Sequence, residues 1–114
     1  MNHTKSLTQN RDFLRLYRRG KSQIHPLLVV YALPNRLGIN RVGITASKKI
    51  GNAVLRNRAR RIIREAYRRL EPGLPPGWDM VFVARGRTTQ ATMWQVHAVM
   101  DKQLQKLLSL SKDR

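Results

Sequence analysis

The sequence predicts a single α+β domain in which helices pack on one sheet. Three observations lead there. The 114 residues, 41% of them hydrophobic, suffice for one modest core. Short β-rich apolar runs alternate with stretches whose apolar residues recur every three or four positions. No internal repeat or low-complexity segment interrupts that order.

The elements follow in sequence. Thr8 or Asn10 can cap a first helix, with Asp12 in its first turn. Phe13, Leu16 and Tyr17 share one side of it, and Gly20 stops it. Residues 21–25 are a short polar stretch suited to an edge strand. Pro26 precedes the strand 27–33 (LLVVYAL), the best in the chain by length and β-branched content. Residues 34–40, with Gly38, form a turn. Residues 41–47 (RVGITAS) form the next strand. Gly51 permits a tight bend and Asn52 can cap the helix that follows. Pro72, Gly73, Pro75, Pro76 and Gly77 end that helix in a loop. Residues 79–84 (DMVFVA) are a final strand. A last helix spans about 89–108, with Met93, Val96, Met100, Leu104 and Leu107 on one face.

Charge sets the functional class. Lys and Arg total 23 against 6 Asp and Glu, a net charge of +17. The basic residues run along the whole chain, which points to a folded protein that works bound to nucleic acid. No segment has the apolar length of a membrane span, and the first residues lack a signal-peptide core. The absence of cysteine excludes disulfides and thiolate metal sites and fits a cytoplasmic location.

Between Ser47 and Leu70 lie nine cations (Lys48, Lys49, Arg56, Arg58, Arg60, Arg61, Arg64, Arg68, Arg69) and one anion, Glu65. On a helical wheel Leu55, Ala59, Ile62, Ile63, Ala66 and Leu70 fill an arc about 100° wide, the width of a core-facing stripe. Arg56, Asn57, Arg60, Arg61, Arg64 and Arg68 fill a separate arc of about 140°. Like charges at steps of four cost a few tenths of a kcal/mol each in an isolated helix, a cost that a facing polyanion reverses. Arginine adds a planar donor fork that matches phosphate and stacks on bases. Asn57 either reads a sugar hydroxyl, a base edge or a hydrated metal ion, or bonds locally on the helix surface.

The six acids (Asp12, Glu65, Glu71, Asp79, Asp101, Asp113) are scattered, as are His3, His25 and His97, and no glycine spacing forms a phosphate loop. No catalytic residue is expected in the chain, which is not expected to make or break covalent bonds by itself. Phe13, Tyr17 and Tyr31 either stack under single-stranded nucleotides or fill the core. Trp78 and Trp94 have no basic stripe beside them in sequence and are expected to pack.

The run Ser47-Lys48-Lys49-Ile50-Gly51-Asn52-Ala53-Val54, followed by Arg56-Asn57-Arg58-Ala59-Arg60-Arg61, resembles the signature of the bacterial ribonuclease P protein subunit. Length, basicity, the Phe13-x-x-x-Tyr17 helix and the RVGITASKK strand fit as well, so the resemblance covers nearly the whole chain. It implies one domain over residues 1–114 with the order α-β-β-β-α-β-α. A central four-stranded sheet would carry a left-handed βαβ crossover, like the second domain of a small-subunit ribosomal protein. Residues alone would favour the right-handed form. The resemblance also implies two RNA partners, a catalytic RNA and precursor tRNA, whose 5′ leader that RNA removes with Mg²⁺ that it largely holds itself. No protein partner or membrane is implied. Carried over by position, Lys48, Lys49, Arg56, Asn57, Arg58, Arg60, Arg61, Arg64 and Arg68 would bind RNA. Phe13, Tyr17 and Tyr31 would line a cleft for the single-stranded leader. The arginine ridge is then expected to project outward, on the side of that aromatic hollow.

Two other classes remain on composition alone. A structural RNA-binding protein of the ribosome would share the charge but not the Lys49-to-Arg61 signature. A membrane-active basic helix would need its apolar face free.

Overall fold

A computed structural model describes residues 4–108. The order is β1 (Thr4–Ser6), α1 (Asn10–Arg19), β2 (Lys21–His25), β3 (Leu28–Pro34), β4 (Asn40–Thr45), α2 (Ala53–Leu70), β5 (Trp78–Ala84) and α3 (Met93–Leu107). The strands form one mixed sheet in the order β1-β4-β5-β3-β2. The α+β class and helix-strand order match expectation, with one correction: the sheet has five strands. The added strand is β1, which lies parallel to β4 with Thr4 opposite Asn40. Three polar residues carry no period-2 signal, so this strand exists through its partner. Tyr67 holds it from α2: its hydroxyl, buried with the ring, lies 2.9 Å from Thr4 Oγ1. Burial pushes the Tyr67 pKa up, keeping the phenol neutral.

Strands β4 and β5 are parallel and joined through α2. The Leu7 amide donates to Val42 O at 2.9 Å, so the Val42 peptide faces β1 while its side chain enters the layer under α2. For an L-residue this puts β5 to the left of β4, seen from α2 with β4 running upward. The crossover is therefore left-handed, against the usual preference.

Side-chain alternation divides the sheet into two faces. Leu28, Val30, Ala32, Val42, Met80 and Phe82 meet Ala59, Ile63, Ala66 and Tyr67 of α2 and Val96, Met100 and Leu104 of α3. A smaller cluster on the other face joins Leu7, Leu16 and Val81, with Phe13, Tyr31, Leu33 and Val83 packed against it.

Several local expectations change. The N-cap of α1 is Gln9, with no side-chain cap bond, rather than Thr8 or Asn10. Gly20 does end α1, but at φ −68°; what demands glycine is space, because a Cβ there would lie 2.6 Å from Leu16 O. Asn52 caps α2 as expected, accepting from the Leu55 amide at 3.0 Å. Gly51 makes its bend at φ +144°, with the Leu55 side chain folded over it. Leu55 is thereby drawn out of the core stripe and is 38% exposed. The last helix starts at Met93 instead of Thr89, because Thr92 and Gln95 form a capping box and residues 86–90 make a separate 3₁₀ turn.

Candidate nucleic-acid interface

Helix α2 spends its apolar stripe on the sheet, so its other face must meet solvent. Asn57, Arg58, Arg61, Arg64 and Arg68 are exposed, and Arg56 and Arg60 are half-buried on the flank. Val54, Asn57, Arg60, Arg61 and Arg64 line an open hollow of about 470 Å³. Arg56 donates to Gly51 O at 3.2 Å, which ties the first turn of the helix to the bend before it. Asn57 takes the local option, accepting from Arg60 at 3.1 Å; its amide group stays exposed on the ridge.

Glu65 neutralises little of this array. Arg68 grips it through two hydrogen bonds of 2.9 and 2.7 Å, and Arg69 adds a third at 3.0 Å. The hydrogen bonds from Arg68, with the charges of Arg68 and Arg69, lower the Glu65 pKa to about 2. The pair therefore stays ionised at any physiological pH.

The aromatic residues assemble as a second surface. Register aligns Gly43, Val81, Tyr31 and Ser22 across the sheet beneath α1. Phe13 lies over Gly43, where a Cβ would come within 2.5 Å of its ring. Tyr17 meets Tyr31 edge to face, centroids 5.0 Å apart, and is 41% exposed. The next row is Thr45, Val83, Val29 and Ile24, with Thr45 and Val83 half-buried and Ile24 72% exposed. Beside the aromatic wall there is thus a shallow, partly open strip.

The two surfaces belong to opposite sides of the sheet. Tyr31 alternates with Val30 and Ala32, which lie under the helices, so the aromatic strip occupies the sheet face opposite α2. The ridge projects outward, as expected, but away from the aromatic hollow. Exposed Lys48 and Lys49 sit in the 3₁₀ turn between the end of β4 and the start of α2, where the two surfaces come nearest along the chain. Arg85 and Arg87, exposed beyond the end of β5, extend this basic edge. Sequence reading missed them, since neither belongs to a periodic array.

A buried ion cluster fixes α1 over the strip. Asp79, 1% exposed, accepts from Arg41 at 2.8 and 2.7 Å, from Asn35 at 2.8 Å and from Arg15 at 3.2 Å. Arg15 and Arg41 also reach Asp12 on α1. Burial opposes ionisation of Asp79, but the hydrogen bonds from Arg41 and Asn35 and the charges of Arg41 and Arg15 outweigh it, so its pKa is lowered. The same pairing raises that of Arg41. Among the described residues no three His, Asp or Glu side chains gather as a metal site. The oxygens of Asp79 are committed to cations, a donor set that does not suit a divalent ion. His3 and Asp113 lie outside the described residues.

Trp78 packs against the main core, as expected, whereas Trp94 is 59% exposed, contrary to expectation. The Arg69 guanidinium lies over its ring, 4.8 Å from the centroid. The basic neighbour comes from α2, which no local sequence window around Trp94 includes.

Comparison with known proteins bears on the family and the fold. The sequence pattern of the Ribonuclease P family matches residues 1–108. The chain is 43% identical over 108 residues to the ribonuclease P protein component of Clostridioides difficile strain 630, covering 94% of this chain and 91% of that one. Among solved structures, a Staphylococcus aureus RNase P protein mutant with defective mRNA degradation activity superposes with a TM-score of 0.79 at 33% identity, covering 89% and 86% of the two chains. The RNase P protein from Thermotoga maritima does so with 0.76 at 30% identity, covering 86% and 93%.

Proposed function

The chain belongs to the ribonuclease P protein family, and we propose that it binds a catalytic RNA and the single-stranded 5′ leader of precursor tRNA. Family membership implies a role in tRNA 5′ processing and an RNA partner. In the proposed division of labour the RNA performs the endonucleolytic cleavage and holds most of the Mg²⁺. The protein supplies cationic and stacking contacts.

The observation that carries this reading is the outer face of α2. Its arginines project from a helix whose apolar stripe is already used by the core, with a single carboxylate among them. That arrangement leaves a phosphate-binding ridge and argues against a free membrane-active amphipath. Lys48, Lys49, Arg56, Asn57, Arg58, Arg60, Arg61, Arg64 and Arg68 act in RNA binding. Phe13, Tyr17 and Tyr31 offer rings to unpaired leader nucleotides on the opposite face. Two separated RNA surfaces suit a protein that touches a folded RNA and a flexible strand together. A compact +17 body also lowers the repulsion between two polyanions.

Reconstitution tests the reading. The purified chain alone leaves precursor tRNA intact, and adding ribonuclease P RNA at low Mg²⁺ restores leader removal. Metal-dependent cleavage by the protein alone, indifferent to the RNA, overturns it.

A further inference from the structure

Trp94 is the largest exposed apolar side chain in the described structure, and its surroundings are organised. It sits in the first turn of α3, next to the capping box of Thr92 and Gln95. His97 meets its ring edge-on at 5.4 Å, and Arg69 covers part of it at 4.8 Å. Arg69 is itself held by Glu65, which also clamps Arg68. The only carboxylate of α2 thus orients a guanidinium over an indole and leaves 59% of that residue in solvent. Arg61, Glu65 and Arg69 follow at steps of four, so the Trp94 platform is continuous with the arginine ridge.

A large aromatic kept in water beside a cationic stripe is a poor use of apolar surface for stability alone. It is the combination that single-stranded nucleic acid recognises, a π-face for a base with guanidinium groups for the flanking phosphates. We propose that Trp94, with Arg69 positioned by Glu65, forms a second base-stacking site, separate from the aromatic strip under α1. It takes one unpaired nucleobase of an RNA whose phosphates lie on α2. This inference rests on the proposal that the outer face of α2 binds RNA.

Intrinsic fluorescence and binding test it together. The full chain is titrated with in vitro transcribed ribonuclease P RNA and, separately, with precursor tRNA; the RNA that quenches Trp94 is the source of the base. Trp94→Phe retains Trp78 as an internal control and loses the quenched component. Trp94→Ala weakens binding of that RNA by about 5- to 140-fold, and its salt dependence keeps the wild-type slope because no phosphate contact is lost. Unchanged melting of the variants excludes a folding effect. If Trp94→Ala binds both RNAs like wild type while Arg61→Ala weakens binding, the stacking site is overturned and the ridge stands. If both variants bind like wild type, the RNA-face reading falls as well.

Discussion

Replacing Asp79 by Asn tests what holds α1 over the aromatic strip. The wild-type carboxylate is 1% exposed and accepts from two arginines and one asparagine. Asn keeps the shape but turns one acceptor into a donor. That donor then faces either the Arg41 Nε and Asn35 amide or the two Nη2 groups of Arg41 and Arg15. Breaking a buried pair by removing one partner costs about 3–5 kcal/mol. The Arg41 side chain is 22% exposed and that of Arg15 is 44% exposed, so water can re-solvate part of what is left unpaired. The lower end, about 3 kcal/mol, is therefore expected. For a domain of this size that is a loss of roughly 10–15 °C in Tm. Urea unfolding followed by circular dichroism at pH 7 measures it. The sign with pH follows from the lowered pKa. The stabilisation is fully present above the ordinary carboxylate value near 4 and is lost as pH falls through the folded-state value. The gap between wild type and Asp79→Asn should therefore narrow as pH falls below about 4. A gap below about 1 kcal/mol at pH 7, or one that widens as pH falls below about 4, would refute the assignment.

Three further outcomes are expected. Arg60→Ala or Arg61→Ala weakens RNA binding and reduces the log–log salt slope by roughly 0.7 to 0.9 per lost phosphate contact; an unchanged slope puts that residue off the interface. Tyr31→Ala weakens leader-bearing precursor tRNA by about 5- to 140-fold while mature tRNA is little affected, as a stacking contact to the leader requires, and equal losses would make Tyr31 a support of the fold only. Gly43→Ala places a methyl 2.5 Å from the Phe13 ring, so calorimetry should read a loss of about 1–3 kcal/mol, with leader affinity falling as the ring shifts. Wild-type Tm and wild-type leader binding together would mean that Phe13 is free to move.

The features readable from residue order are local and periodic. The two-sided character of α2 is written in the positions of Ala59, Ile63 and Ala66 against Asn57, Arg61 and Arg64, because helix geometry converts spacing into direction. Its start at Asn52, the stop at Gly20 and the loop after Leu70 follow from capping and backbone chemistry that act within a few residues. The left-handed crossover was legible only through family resemblance.

Tertiary structure alone decided what depends on partners distant in the chain. Strand β1 exists because β4 offers an edge and Tyr67 an anchor, sixty-three residues from Thr4. Asp79 gathers Arg15, Asn35 and Arg41 from three separate segments, and Arg69 reaches Trp94 from another helix. The placement of the ridge and the aromatic strip on opposite sheet faces was settled by which face α2 buries. Periodicity tells which residues of an element point together; only packing tells toward what.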